Sequence, residues 1–159
     1  MQSFRHTVSA IALLALCAAA PVLTAAPAFA AGSEDGSSNT GSAATYAQAK
    51  AAVYAGKFAE ARVMLVAITA AEPKNADAWN LLGFSSRKTG DLKAASKAYT
   101  KALKLNPGHL GALEYQGEMY LQLGQPDKAK ANLDKLQGLC GNCVEKKDLE
   151  KALQAAGVV

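Results

Sequence analysis

The chain has 159 residues, of which 50% are hydrophobic and 19% charged, and its formal net charge is +4 at pH 7. A chain of this length is expected to form a single domain. The positive charge is small and spread along the sequence, a distribution that does not favour a nucleic-acid-binding protein.

The N-terminal segment, up to Ala30, has the pattern of a secretory signal peptide. Arg5 gives a basic start, an apolar run follows, and Ala-Phe-Ala at 28–30 forms a small-x-small cleavage site. Pro21 and Pro27 interrupt the apolar run, whereas a membrane-spanning helix needs about 20 apolar residues. We therefore expect cleavage after Ala30 and a mature chain that is periplasmic or secreted, with no membrane span.

Two further features of this region bear on processing. Cys17 leaves open a lipid-anchored form, although lipoprotein signals have small residues before the cysteine and the bulky Leu16 stands there. Residues 31–44 are small and polar without a hydrophobic period, so they are expected to form a flexible leader.

The rest of the chain repeats every 34 residues. This interval separates Gly56, Gly90 and Gly124; Ala61, Ala95 and Ala129; Gly83 and Gly117; and Pro73 and Pro107. Several ladders in one register indicate a repeated structural unit.

One unit, residues 75–107, predicts a pair of helices. Asn75 and Asp91 are suited to cap the two helix starts. Between them Gly90 can adopt the left-handed conformation that ends the first helix. Gly83 lies on the inward face of that helix, where the lack of a side chain allows a second helix to approach closely.

These positions resemble the tetratricopeptide repeat, a 34-residue helix–turn–helix unit. The matching residues are Trp79, Leu82, Gly83, Gly90, Ala95, Tyr99, Ala102 and Pro107, while Ser86 stands where a tyrosine is usual. The resemblance implies an all-α, right-handed α-solenoid within residues 45–156. Its three units would span 42–75, 76–109 and 110–143.

A seventh helix is predicted at residues 144–156, where Leu149, Ala152, Leu153 and Ala156 fall on one side. It would cover the open apolar end of the third unit. The chain also resembles secreted bacterial repeat proteins that end in a similar Cys-x-x-Cys turn and short capping helix.

The pair Cys140 and Cys143 lies just before that helix, and three interpretations are open. An oxidising compartment favours a structural disulfide. A redox-active pair is the alternative, since a helix start lowers a thiol pKa, although no strand precedes the motif. A metal site needs about four ligands, and the mature chain adds only His109. We expect no metal and no cofactor; Val144 stands where haem attachment would need a histidine.

The resemblance implies that a protein or peptide partner binds in a concave groove lined by the first helix of each unit. The family's groove positions correspond to Tyr46, Lys50, Val53, Asp77, Asn80, Phe84, Arg87, Glu114, Glu118 and Leu121. The variant that grips a C-terminal carboxylate is not expected, because Leu81 occupies a position where that variant needs asparagine.

The sequence shows no nucleophile–base–acid set, so an enzyme is not expected. The predicted function is a periplasmic or secreted interaction module. The alternative is a thiol–disulfide protein whose repeats recruit clients to Cys140 and Cys143. Weak self-association through the ends of the array is a further possibility.

Overall fold

The computed structural model of the protein describes residues 44–158. The predicted cleavage site after Ala30, the alternative at Cys17 and nearly all of the predicted leader lie outside the described residues. The helices are α1 (Tyr46–Tyr54), α2 (Phe58–Ala71), α3 (Ala76–Lys88), α4 (Leu92–Leu105), α5 (Leu110–Gln122), α6 (Pro126–Cys140) and α7 (Val144–Ala155). No strand occurs in this part of the chain, so the predicted all-α helical repeat solenoid is confirmed there.

The turns inside the helix pairs have one design. Gly56, Gly90 and Gly124 follow α1, α3 and α5 with φ angles of 72°, 84° and 66°. Side chains with a Cβ rarely adopt this region, which explains the 34-residue glycine ladder. The predicted caps are also present, since Asn75 accepts a hydrogen bond from the Ala78 amide at 2.9 Å and Asp91 accepts one from Ala94.

The other glycine ladder marks close helix contacts. A Cβ placed on Gly83 would lie 2.6 Å from the Tyr99 ring of α4, and one on Gly117 would lie 2.7 Å from Leu149 of α7. Tyr99 and Leu149 are fully buried. The close approach predicted at Gly83 is therefore confirmed, and at Gly117 the seventh helix uses the same device.

The apolar core runs along the array without a break in its repeat. One cluster joins α1 through α4 around Leu65, and another joins α5, α6 and α7 around Leu136. Between them, Tyr99 and Met119 connect the second and third helix pairs. Each pair thus buries its apolar face against its neighbours, as repeat arrays require.

The seventh helix packs against both α5 and α6. Leu149 and Leu153 are fully buried in its contact with them, so α7 covers the end of the array as expected. It ends at Ala155, one residue before the predicted limit. Helix α6 continues to Cys140, two residues past the predicted end near Gly138, and Gly141 then turns the chain with φ 64°. Among residues 44–158, none of the helices could span a bilayer.

Candidate functional site

An open groove of about 600 Å³ lies along the first helices of the repeats and the start of α7. Its lining side chains come from α1, α3, α5 and α7, with His109 at the start of α5. They are Tyr46, Lys50, Val53, Tyr54, Asn80, Leu81, Phe84, His109, Gly111, Glu114, Tyr115, Val144, Glu145 and Asp148.

The structure brings most of the predicted groove residues together. Tyr46, Lys50, Val53, Asn80, Phe84 and Glu114 line the groove. Asp77 lies next to it, with Oδ1 3.0 Å from Nε2 of His109, which lines the groove. Arg87 and Glu118 form an ion pair with each other, and Leu121 packs against the apolar cluster of α5, α6 and α7. These last three residues serve the packing of the array more than the lining of the groove.

Aromatic side chains form the middle of the groove. The Phe84 ring lies 4.7 Å from the Tyr115 ring and 5.7 Å from the Phe58 ring. Phe84 is only partly buried, so it packs between repeats and also presents a face to the groove. Tyr54 is 78% exposed at the same wall, and the Lys50 ammonium lies 5.8 Å from its ring centroid. These rings offer apolar contact area to a ligand.

The ion pair between Arg87 and Glu118 joins α3 to α5. The side chain of Arg87 is only 4% exposed, and its guanidinium lies directly against the Glu118 carboxylate. A buried guanidinium needs a compensating charge, and Glu118 supplies it. Arg87 was predicted as a groove residue, but its charge is already compensated inside the array and is not free for a ligand.

The carboxyl of Glu114 faces the opposite situation. Its residue is 7% exposed, and burial raises its pKa to about 8. The negative charges of Glu118, Asp148 and Glu145 raise the pKa further, whereas Arg87 lowers it. Burial and like charges both disfavour the ionised form of a carboxyl group, so Glu114 is largely protonated at neutral pH in the free protein.

This raised pKa predicts a pH-dependent difference between the protein and its Glu114→Gln variant. A carboxyl whose pKa rises from 4.5 unfolded to about 8 folded binds more protons in the folded state. Stability is therefore lost as the pH rises between those values. Urea unfolding from pH 5 to pH 9 is expected to show the variant gaining stability relative to the wild type as the pH increases. Asp134→Asn, on the exposed surface of α6, should follow the wild type; parallel curves for Glu114→Gln would contradict the assignment.

His109 closes the first turn of α5, as the sequence suggested for a capping residue. Its Nδ1 accepts a hydrogen bond from the Ala112 amide at 3.2 Å. An accepting Nδ1 places the proton of the neutral ring on Nε2, which faces Asp77. This contact connects the start of α3 to the start of α5 beside the groove.

Sequence reasoning missed the contribution of α7 to the groove. Val144, Glu145 and Asp148 lie in the first turns of this helix and line the groove with α3 and α5. The signal was present, because α7 begins 34 residues after α5 and so occupies the place of a fourth first helix. Adding 34 to Gly111 and Glu114 gives Glu145 and Asp148.

The cysteine turn determines where α7 starts. The sulfurs of Cys140 and Cys143 lie 2.06 Å apart, at bonding distance, and the Cα atoms are 5.6 Å apart. Cys143 is the N-cap residue of α7 and makes no side-chain capping hydrogen bond. Within the described range, no group of three or more metal-ligating side chains occurs.

Three family models of the tetratricopeptide repeat match the chain, at residues 46–84, 76–109 and 98–131. Together they span the helices from α1 into α6. No curated protein matches the chain significantly.

Several solved structures share the fold. The first TPR of Spaghetti (RPAP3), bound to the HSP90 peptide SRMEEVD, is 20% identical with a TM-score of 0.62, covering 70% of this chain and 89% of that one. The Yersinia enterocolitica type III secretion translocator chaperone SycD is 20% identical with a TM-score of 0.63, covering 71% and 89%. A thermophilic TPR protein of Thermus thermophilus is 20% identical with a TM-score of 0.61, covering 70% and 63%. At such identities the similarity shows the fold alone.

Proposed function

Because the chain belongs to the tetratricopeptide repeat family, we propose that it is an interaction module that binds a segment of a partner protein in its groove. The family typically provides non-enzymatic scaffolds for protein interaction. We place the module in a periplasm or outside the cell, on the signal-peptide pattern that ends at Ala30.

The groove itself carries this proposal. Side chains from four separate helices line a single open surface, with exposed aromatic and aliphatic groups such as Tyr54 and Val144. Exposed apolar groups of this kind mark interaction sites when they lie together. An extended or helical segment could place a few apolar side chains against them and satisfy its polar groups at the rim.

A site-specific crosslinker tests the proposal. We would replace Tyr54, which is 78% exposed in the groove, with a photo-reactive amino acid and irradiate intact cells. The matched control is Val63 on α2, which is 73% exposed and does not line the groove. The proposal expects a defined partner at Tyr54 and none at Val63. Capture at Val63 alone would place the interaction on the other surface of the array.

The alternative is a thiol–disulfide protein, which the position of Cys143 at the start of α7 favours. Replacing Cys140 and Cys143 together with serine separates the two functions. A structural disulfide closing so short a loop stabilises the fold by about 2 kcal/mol. We expect the double variant to lose roughly that stability in urea unfolding while it retains partner binding. Loss of disulfide exchange with a model dithiol, at unchanged stability, would favour the redox function.

A further inference from the structure

We propose that the groove selects a partner segment that carries arginine or lysine next to an apolar side chain. The cation would bind at the end of the groove formed by Glu114 on α5 and by Glu145 and Asp148 on α7. This inference rests on the proposed peptide-binding function and names the class of segment that the same groove accepts.

The charges along the groove are unevenly distributed. Glu114, Glu145 and Asp148 line the end where α5 meets α7, and Lys50 lies on α1. Glu118 adds no free charge, because Arg87 compensates it. Lys151 lines the adjoining surface on α7 together with Glu114 and Asp148. The α5–α7 end is therefore acidic, and a cationic group on a ligand would complement it.

Buried acceptors without partners point to a ligand that donates hydrogen bonds. Asn80 is 93% buried, since it is 7% exposed, and within residues 44–158 its Oδ1 has no hydrogen-bond partner. In the same range Glu114 has no ion-pair partner. Both side chains line the groove. Unsatisfied buried acceptors are unfavourable, and a guanidinium, which has five N–H donors and no acceptor, would satisfy them.

The neighbouring aromatic surface explains why an apolar side chain should accompany the cation. Tyr115 follows Glu114 directly, and its ring contacts Phe84 in the middle of the groove. Leu81 and Val53 continue this apolar surface towards α1. In an extended segment, successive side chains point to opposite sides at about 3.3 Å per residue, so a cation and an apolar group two residues apart would face the same wall.

The chain's own leader is a poor occupant of this site. Residues 31–43 contain Glu34 and Asp35 and no lysine or arginine, so they would bring more negative charge to an acidic surface. The peptide SRMEEVD bound by the Spaghetti domain is also rich in acidic residues. The charge of the present groove favours the opposite kind of segment.

Selection from a random peptide library displayed on phage tests the inference. The immobilised chain is expected to enrich peptides with a net positive charge and an apolar residue within two positions of arginine or lysine. Enrichment of neutral or acidic peptides would overturn the inference but leave the peptide-binding function intact. No enrichment at all would count against both.

Binding of one enriched arginine peptide, with blocked termini and a fluorescent label, locates the cation. The double variant Glu145→Gln, Asp148→Asn is expected to weaken binding about tenfold at low salt, because two favourable charge interactions are lost. The control Asp127→Asn, Asp134→Asn removes two charges from exposed positions of α6 and should bind like the wild type. Equal affinities for both double variants would overturn the inference, as would self-association of the chain that the Glu145→Gln, Asp148→Asn variant abolishes.

A pH series gives a readout that a purely structural role of Glu114 would not produce. The groups facing Glu114 are Arg87 on α3, Tyr115 and Glu118 on α5, and Glu145, Asp148 and Lys151 on α7. A bound arginine favours the ionised carboxyl, so binding releases its proton. Affinity should therefore rise between pH 6 and pH 9, and this rise should be absent in Glu114→Gln. A pH-independent affinity in the wild type would contradict a contact with Glu114.

Discussion

Replacing Leu149 with alanine is expected to lower the free energy of unfolding by about 2–5 kcal/mol, the usual cost of a large-to-small change in a core. Leu149 is fully buried and lies against Gly117 of α5. The shortened side chain would leave a cavity where no other group can follow, because Gly117 has no side chain to fill it. Urea unfolding of the variant and the wild type gives the difference directly.

The matched control for this change is Leu139→Ala in α6, which shortens a leucine that is 52% exposed. We expect it to alter the unfolding free energy by less than about 0.5 kcal/mol, as surface substitutions usually do. Equal small losses in both variants would show that α7 does not contribute to the cooperative core. The interpretation of α7 as both cap and groove wall would then fail.

Replacing Gly83 with alanine is expected to cost about 1–3 kcal/mol, the range for overpacking a core. The new methyl group would lie 2.6 Å from two carbons of the Tyr99 ring. Since Tyr99 is fully buried, the ring can move only if α4 shifts away from α3. The midpoint of thermal unfolding should fall accordingly.

Gly138→Ala in α6 is the control for this second change. Gly138 is also helical, and a Cβ placed on it would meet no atom within 4 Å. Alanine has a higher helix propensity than glycine by up to about 1 kcal/mol, so this variant should be as stable as the wild type or slightly more stable. If Gly83→Ala behaved in the same way, the close packing of α3 on α4 would be excluded.

The sequence predicted the helix pairs well because their turns depend on local chemistry. Gly56, Gly90 and Gly124 adopt a conformation that few other residues tolerate, and Asn75 and Asp91 cap their helices through side-chain atoms that bond amides three residues away. Such features are visible in one short stretch of sequence. Repetition at 34 residues then places each pair beside the next.

The partners of individual groove side chains were harder to predict because they lie on other repeats. Arg87 is an ordinary exposed helix end by sequence, yet Glu118 of the next repeat buries it in an ion pair. Leu121 follows the groove register, yet α7 draws it into the core of the third pair. Charge and burial at such positions depend on contacts between repeats, which a helical period does not specify.

The central claim is that the groove along α1, α3, α5 and the start of α7 is the surface on which a partner segment binds. Backbone amide chemical-shift changes, recorded as a peptide selected by the chain is added, test it most directly. The account predicts the largest changes around Phe84, Glu114 and Asp148, with little change along the exposed face of α2 at Val63 and Val66. Changes concentrated on α2, with the groove amides unaffected, would contradict it.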